Sequence, residues 1–488
     1  MKVESDMSIK NQIMLITYAD SLGKNLTELN TVLDLYFNKA IKGIHLLPFF
    51  PSSGDRGFSP LCYDRIDSNF GTWQDMEVLS KNYFLMYDFM INHISYYSEY
   101  FQNFLEKKDE SEYKDMFIRY KSFWENGEPT PDQVDLIYKR KPRAPYIEAK
   151  FKDGTSEKVW CTFGEDQIDI NLTSKVTQDF IRDTIDFLMK HYMSILRLDA
   201  FAYAIKKLGT NCFFVEPEIW EHLENVQKLV AKENKIILPE IHEHYKIQLK
   251  LAEKGFWVYD FALPMLVIYT LYTSDCEPIK NWLSMCPRKQ FTTLDTHDGI
   301  GIVDVKDLLT DEQIEQAKNA LYEKGANVNR IYSTEKYNNL DIYQINCTFY
   351  SALGDNDDWY LLARAIQFFT PGIPQVYYVG LLAGRNDIEL LEKTKQGRDI
   401  NRHYYSLEEI HQEVKRPVVQ KLIKLMEFRN SCTAFEGECI VHDSENGKLE
   451  IEWTFGNVKA LLRADCNNHN FSVFTREGNN DWEQFLYT

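Results

Sequence analysis

A chain of 488 residues, 44% of them hydrophobic, can bury a large core and is too long for one ordinary compact domain unless that domain is a barrel carrying insertions. A formal net charge of −18 excludes the electrostatic footprint of a nucleic-acid binder or an anionic-membrane binder, and any anionic ligand must then be held by a local cationic patch. Nine cysteines without CxxC or zinc spacing, a polar N-terminus and no apolar run long enough to span a bilayer predict free thiols in a cytoplasmic protein, with no signal peptide and no membrane partner.

In chain order, short apolar runs alternate with amphipathic helical stretches, the pattern of repeated β-α units. Candidate strands are Ile13–Tyr18, Gly43–Leu47, Tyr83–Phe89, Ser194–Leu198 and Ile236–Leu238, followed by Trp257–Phe261, Phe291–Leu294 and Pro374–Tyr378. Eight strands are what a closed (β/α)₈ TIM barrel requires, so an α/β barrel is the expected fold. The barrel is expected from residues 1–102, 171–298 and 356–429. Residues 103–170 read as an inserted domain after strand 3, and 299–355 as a second insertion after strand 7. Residues 430–488, with short alternating strands and turn residues between them, predict a small C-terminal antiparallel β domain.

Barrel chemistry sits at the C-terminal ends of the strands. There the sequence places Asp55 and Phe58 after strand 2, Asp88, Asn92 and His93 after strand 3, and Arg197 and Asp199 after strand 4. Glu240 follows strand 5, and His297 and Asp298 follow strand 7. Taken singly, each has a plain structural explanation, such as a strand-end salt bridge or a turn. Together they converge on one mouth. A carboxylic acid that protonates a leaving oxygen, beside a carboxylate facing an anomeric carbon about 5–5.5 Å away, is the equipment of a retaining glycoside-cleaving enzyme. Adjacent barrel strands, about 4.8 Å apart, give Asp199 and Glu240 roughly that spacing. Arg197 lies two residues before Asp199, on the same side of its strand, and is expected to keep Asp199 ionised, while burial keeps Glu240 protonated.

Five segments carry a resemblance to the signature regions of the α-amylase superfamily of glycoside hydrolases: Asp88–His93, Arg197–Asp199, Glu240, His297–Asp298 and Gln167–Asn171. Further segments, among them TYADSLG (17–23), LPFFPSSGDRGF (47–58), TLDTHDGIG (293–301), PGIPQVYYVG (371–380) and GRDINRHYY (397–405), make almost the whole chain similar to the sucrose phosphorylases. The resemblance implies Asp199 as nucleophile, Glu240 as general acid/base and Asp298 as the carboxylate that holds ring hydroxyls in the transition state. It implies Asp55 and Arg402 as clamps on the far side of a glucose ring, His93 and His297 as further ring contacts, and Phe58, Phe163 and Tyr203 as an aromatic wall. It further implies sucrose, inorganic phosphate, glucose 1-phosphate and fructose as small-molecule partners, with no cofactor, and leaves a homodimer open. Amylase relatives often bind calcium near the position of Asn92, but the extra acidic ligands are not recognisable in this sequence, so no metal is expected.

The acceptor is the least determined part. Lys139, Arg140, Lys141 and Arg143 put four cations into five residues of the first insertion, a solvated loop in most proteins and here a candidate phosphate contact, with Arg140, Lys141 and Arg143 as the candidates. Asp341, Tyr343 and Gln344 match the loop that serves fructose or phosphate in the sucrose phosphorylases, and Tyr343 stands where relatives preferring sucrose 6′-phosphate carry histidine. The alternatives are a sucrose 6′-phosphate phosphorylase, another α-glucoside phosphorylase or hydrolase, and a non-catalytic sugar-binding protein on the same fold.

Overall fold

A computed structural model of the protein describes residues 9–141, 143–326 and 344–486. Eight parallel strands form the central sheet: β1 (Met14–Thr17), β2 (Gly43–Leu46), β3 (Phe84–Met90), β4 (Met193–Asp199), β5 (Ile236–Pro239), β6 (Val258–Asp260), β7 (Gln290–Thr293) and β8 (Ile373–Tyr377). Their order is β6-β7-β8-β1-β2-β3-β4-β5, and the two end strands β5 and β6 lie against each other, so the sheet curls into a nearly closed barrel. Each of the eight predicted strands is present. The runs are short and apolar because strands of such a sheet are buried on both faces, inside by one another and outside by helices.

The barrel interior explains where chemistry can sit. Met14, Phe84, Met86, Ile195, Leu238, Tyr259, Phe291 and Ile373 fill its lower part as one buried apolar cluster. Gly43 makes room for it, since a Cβ there would stand 2.3 Å from the Phe84 ring. Side chains alternate along a strand, so the next inward positions toward the C-terminal end are Asp88 on β3 and Arg197 and Asp199 on β4. Pairing of β3 with β4 shifts register between Leu85 and Met86, which sets Asp88 opposite Arg197 and Met90 opposite Asp199. Apolar layers below and charged layers above thus come from one period-2 pattern.

Between β3 and β4 the chain adds an antiparallel hairpin, Tyr146–Lys150 with Ser156–Trp160, and a two-strand pairing of His93–Ser95 with Gln167–Asp169. After β7, Ile300–Gly301 pairs with Gln344–Ile345. The C-terminal region is a five-stranded antiparallel meander: β9 (Glu438–His442), β10 (Lys448–Phe455), β11 (Val458–Asp465), β12 (Asn470–Glu477) and β13 (Glu483–Phe485). On β10, Leu449, Ile451 and Trp453 are buried and alternate with Glu450 and Glu452. The Trp453 indole donates to the Phe369 carbonyl at 2.7 Å, fastening the sheet to the helix before β8. All nine cysteines are free thiols, and among the described residues no helix is long and apolar enough to cross a membrane.

Candidate active site

One guanidinium organises the barrel mouth. Arg197, 3% exposed, donates to Asp88 Oδ1 at 2.5 Å and to Asp199 Oδ1 at 3.0 Å, and its other terminal nitrogen lies 3.7 Å from Glu240 Oε1. Asp88 is fully buried and also accepts from His45 Nε2 at 2.8 Å; burial acts to raise its carboxyl, but Arg197 and His45 override it and hold it at about 2. Asp88 therefore stays charged, and it fixes Arg197 from below. Above, the Ala200 amide donates to Glu240 Oε2 at 2.9 Å. Ala200 has a left-handed backbone (φ 50°), which turns the chain sharply after Asp199 and brings that amide across to Glu240. Asp199 and Glu240 consequently flank one guanidinium and share one turn of backbone.

Asp199 differs from the sequence expectation. Burial pushes its carboxyl up to about 8; Arg197 pulls it down, and Glu240 and Asp88 push it up further. An adjacent arginine alone therefore does not keep the carboxyl ionised, because desolvation and two neighbouring acids oppose it. Asp199 is therefore harder to ionise than a free carboxylate, although of the two acids it has the closer Arg197 contact, 3.0 Å against 3.7 Å.

Asp298 approaches Glu240 from the loop after β7. Burial acts to raise its carboxyl, yet Arg398 foremost, with His297, His242 and Arg402, holds it far below the usual carboxylate range. Arg398 Nη1 is 3.0 Å from Asp298 Oδ1. His297 stacks on the Phe58 ring at 4.9 Å and 9°, with Tyr18 edge-on at 6.3 Å. Burial keeps its imidazole neutral, well below its usual range. Arg402, 4% exposed, donates through Nε to the His297 carbonyl at 3.1 Å. Among the described residues, Tyr18 Oη, His297 Nδ1 and Arg402 Nη2 are buried without a hydrogen-bond partner. Buried polar atoms are nearly always paired, so these three leave donors and acceptors open toward the mouth for a polar ligand to meet.

The loop carrying Asp55 and Phe58 is strained. Asp55 and Arg56 both have positive φ (45° and 50°), and Gly57 (φ 107°) passes so close to Pro48 that a Cβ would stand 2.5 Å from its carbonyl oxygen. Arg56 pins the turn, lying 3.9 Å from the Tyr18 ring and 4.1 Å from the Tyr404 ring and donating to Asp20 at 3.0 Å. His93 is buried, with Nε2 2.9 Å from the Phe58 carbonyl, which also accepts from Gln167 at 3.0 Å. In this structure His93 thus anchors Phe58. Phe163 lies between His93 (5.5 Å) and Tyr203 (5.1 Å), completing an aromatic side to the mouth.

The candidate phosphate cations separate. The Arg143 guanidinium is engaged by the carbonyls of Ala144, Tyr146 and Phe163 at 3.1, 2.9 and 3.0 Å, so it shapes the loop that presents Phe163. Arg140 lies over the Tyr203 ring at 5.2 Å. Lys141 is exposed, within electrostatic reach of Arg398, Asp55 and Arg143. Gln344 is buried, with its side chain 3.4 Å from both His242 Nε2 and the Gly299 amide. Asp341 and Tyr343 lie outside the described residues. Sequence reasoning missed His45, Lys206, His242, Asp304 and Arg398. Arg398 stood inside a segment already singled out (GRDINRHYY) and His242 two residues beyond Glu240, but nothing in the sequence indicated which distant group each would meet.

Against known proteins, the model of the α-amylase catalytic domain matches residues 12–255. A sucrose phosphorylase of Streptococcus mutans is 59% identical over 94% of this chain and 96% of its own. A glucosylglycerol phosphorylase of Marinobacter adhaerens is 45% identical over 94% and 96%. The solved structure of sucrose 6F-phosphate phosphorylase from Thermoanaerobacter thermosaccharolyticum, 44% identical, covers 99% of this chain and 98% of its own with a TM-score of 0.94. The chain belongs to the α-amylase family.

In this member of the family an ammonium group joins insertion to barrel. Lys206 Nζ is 2.6 Å from Asn92 Oδ1 and 2.6 Å from Asp169 Oδ2, and it donates to the Tyr203 carbonyl. Asp169 also accepts from the Thr162 amide at 2.8 Å and the Thr162 hydroxyl at 2.6 Å. A buried carboxylate with a buried lysine needs no metal to neutralise it. Among the described residues the one group with metal-ligand spacing, Glu240, His242 and Asp298, has its ligand atoms within 4.8 Å, but Arg197 and Arg398 already approach its carboxylates. Activity is expected to be unchanged in excess EDTA. Lys206→Ala strands Asp169 and should cost about 3–5 kcal/mol, read as a lowered Tm.

Proposed function

We propose that the protein is a sucrose phosphorylase working by double displacement. The observation that carries this is the single guanidinium of Arg197 holding Asp199 and Glu240 side by side, with Asp298 ionised opposite them. Asp199 attacks the anomeric carbon of the glucosyl unit while the bond from that carbon to the fructosyl oxygen breaks. The proton held by Glu240 passes to that oxygen, and fructose leaves. A phosphate oxygen then attacks the same carbon, the ester bond to Asp199 breaks, and the phosphate proton returns to Glu240. The product is α-glucose 1-phosphate with retained configuration.

In this reading Asp298 and Arg402 hold ring hydroxyls, with His297 and Asp55 beside them. Phe58, Phe163 and Tyr203 wall the cationic transition state, together with His93. Lys141, Arg140 and Gln344 stand on the acceptor side, where an anion must enter a chain of net charge −18. Insertion 103–170 and the described part of 299–355 line that side, and the free thiols support a cytoplasmic setting. The 59% identity to the Streptococcus mutans enzyme favours sucrose over its 6′-phosphate or glucosylglycerol.

The test is phosphate-dependent formation of glucose 1-phosphate from sucrose, sucrose 6′-phosphate and glucosylglycerol in parallel. Sucrose should be the best donor by at least about tenfold in kcat/KM. Equal or better use of another donor, or sucrose cleavage indifferent to phosphate, would contradict the proposal. The proton that Glu240 must donate also sets a pH limit: on the alkaline side kcat/KM for sucrose should fall about tenfold per pH unit, measured by initial rates from pH 6 to 10.

A further inference from the structure

Asp304 is used nowhere in the mechanism above, yet it lies beneath the proton donor. It sits in the short turn Val303–Val305 after β7 and is 2% exposed. Among the described residues neither of its carboxylate oxygens has a hydrogen-bond partner. A buried carboxylate in that condition is costly unless a cation faces it. The group facing it is His242, whose Nδ1 lies 3.7 Å from Asp304 Oδ2. The opposite ring nitrogen, Nε2, lies 3.2 Å from Glu240 Oε1. Phe261 stacks on the imidazole at 3.9 Å and 21°, and the Gln344 side-chain amide lies 3.4 Å from Nε2.

Gly301 shows that the carboxylate seat is built in. A Cβ at this position would stand 2.2 Å from Asp304 Oδ2, closer than any side chain tolerates. Among the described residues, Glu240, Asp298 and Asp304, all acidic, act on His242, and Arg197 lies beyond Glu240. Burial acts to lower the imidazole, but Asp304, Glu240 and Asp298 override it and raise it above its ordinary value.

We infer that Asp304 is a positioning residue for the general acid: it holds His242 through Nδ1 so that Nε2–H is aimed at Glu240 Oε1. A donor fixed there stabilises Glu240 as the carboxylate it becomes once its proton has gone to the leaving oxygen. Asp304 touches no substrate and acts only through His242. The inference rests on Glu240 being the proton donor, and it goes beyond that assignment by naming what sets the donor's strength.

The experiment compares Asp304→Asn, Gly301→Ala and Glu240→Gln with the unaltered enzyme on two donors, sucrose and α-glucosyl fluoride, whose leaving group departs with little need of a proton. Asp304→Asn should lower kcat on sucrose by about 10- to 100-fold, with KM within about twofold and the fluoride rate within about threefold. Gly301→Ala, which pushes the carboxylate from its seat without removing it, should reproduce that selective loss, and it decides the matter if Asp304→Asn does not fold by thermal melting. Equal losses on both donors, or no loss on either, would overturn the role of Asp304. If Glu240→Gln itself shows no dependence on the leaving group, the assignment of Glu240 fails instead, and the two failures are told apart.

Discussion

Asp199→Ala should abolish turnover of every glucosyl donor, by about 10⁴-fold or more, with sucrose and α-glucosyl fluoride equally affected. Removing the nucleophile removes the covalent route itself, so no improvement in the leaving group compensates. The loss is read as initial rates on both donors; appreciable activity on either would exclude Asp199 as nucleophile. The folded state should not suffer. Asp199 has a carboxyl raised by burial to about 8, against about 3.9 in an unfolded chain. Its protonated form favours the fold, fully so below the unfolded value, and that contribution is lost as pH rises toward about 8. Asp199→Asn keeps the hydrogen-bonding shape without the charge. It should therefore melt above the unaltered protein at pH 8, with the difference shrinking toward pH 4.

Replacing Glu240 should give the opposite pattern across donors. Glu240→Ala lowers kcat/KM for sucrose by about 10²–10⁴-fold, because fructose must leave with a proton. With α-glucosyl fluoride and phosphate, most of the activity should survive, since neither fluoride departure nor attack by a phosphate dianion depends strongly on an acid/base group. A variant equally inactive on both donors would remove Glu240 from the proton-transfer role. Asp199 and Glu240 are therefore distinguished by leaving-group dependence, although one guanidinium contacts both.

The strands were legible because each is a short apolar run between turn residues, and a fully buried parallel strand needs just that. All eight observed strands begin and end within about two residues of the predicted runs, the usual spread of strand ends. Arg197, Asp199 and Glu240 were legible for a related reason: in a barrel, the position after a strand is a position at the mouth. Contacts between loops were not. His242 gains its meaning from Asp304, Asp298 from Arg398, and Asp169 from Lys206, pairs separated by tens of residues whose meeting depends on how the loops fold over the rim. Arg143 marks the limit of charge counting. Its place in a cationic run pointed to an anionic ligand, but its guanidinium is engaged by backbone carbonyls that any loop possesses and no sequence pattern reveals. Burial likewise moved Asp199 away from the ionised state that its neighbour Arg197 alone would enforce.

The decisive measurement is of the ester itself. Glu240→Gln, denatured in acid within milliseconds of mixing with α-glucosyl fluoride in the absence of phosphate, then digested and analysed by mass spectrometry, should yield the peptide containing Asp199 heavier by one glucosyl residue. Addition of phosphate before the quench should remove that mass and release α-glucose 1-phosphate. A glucosyl group found on another side chain, or glucose 1-phosphate formed with no modified peptide at any time point, would contradict the account.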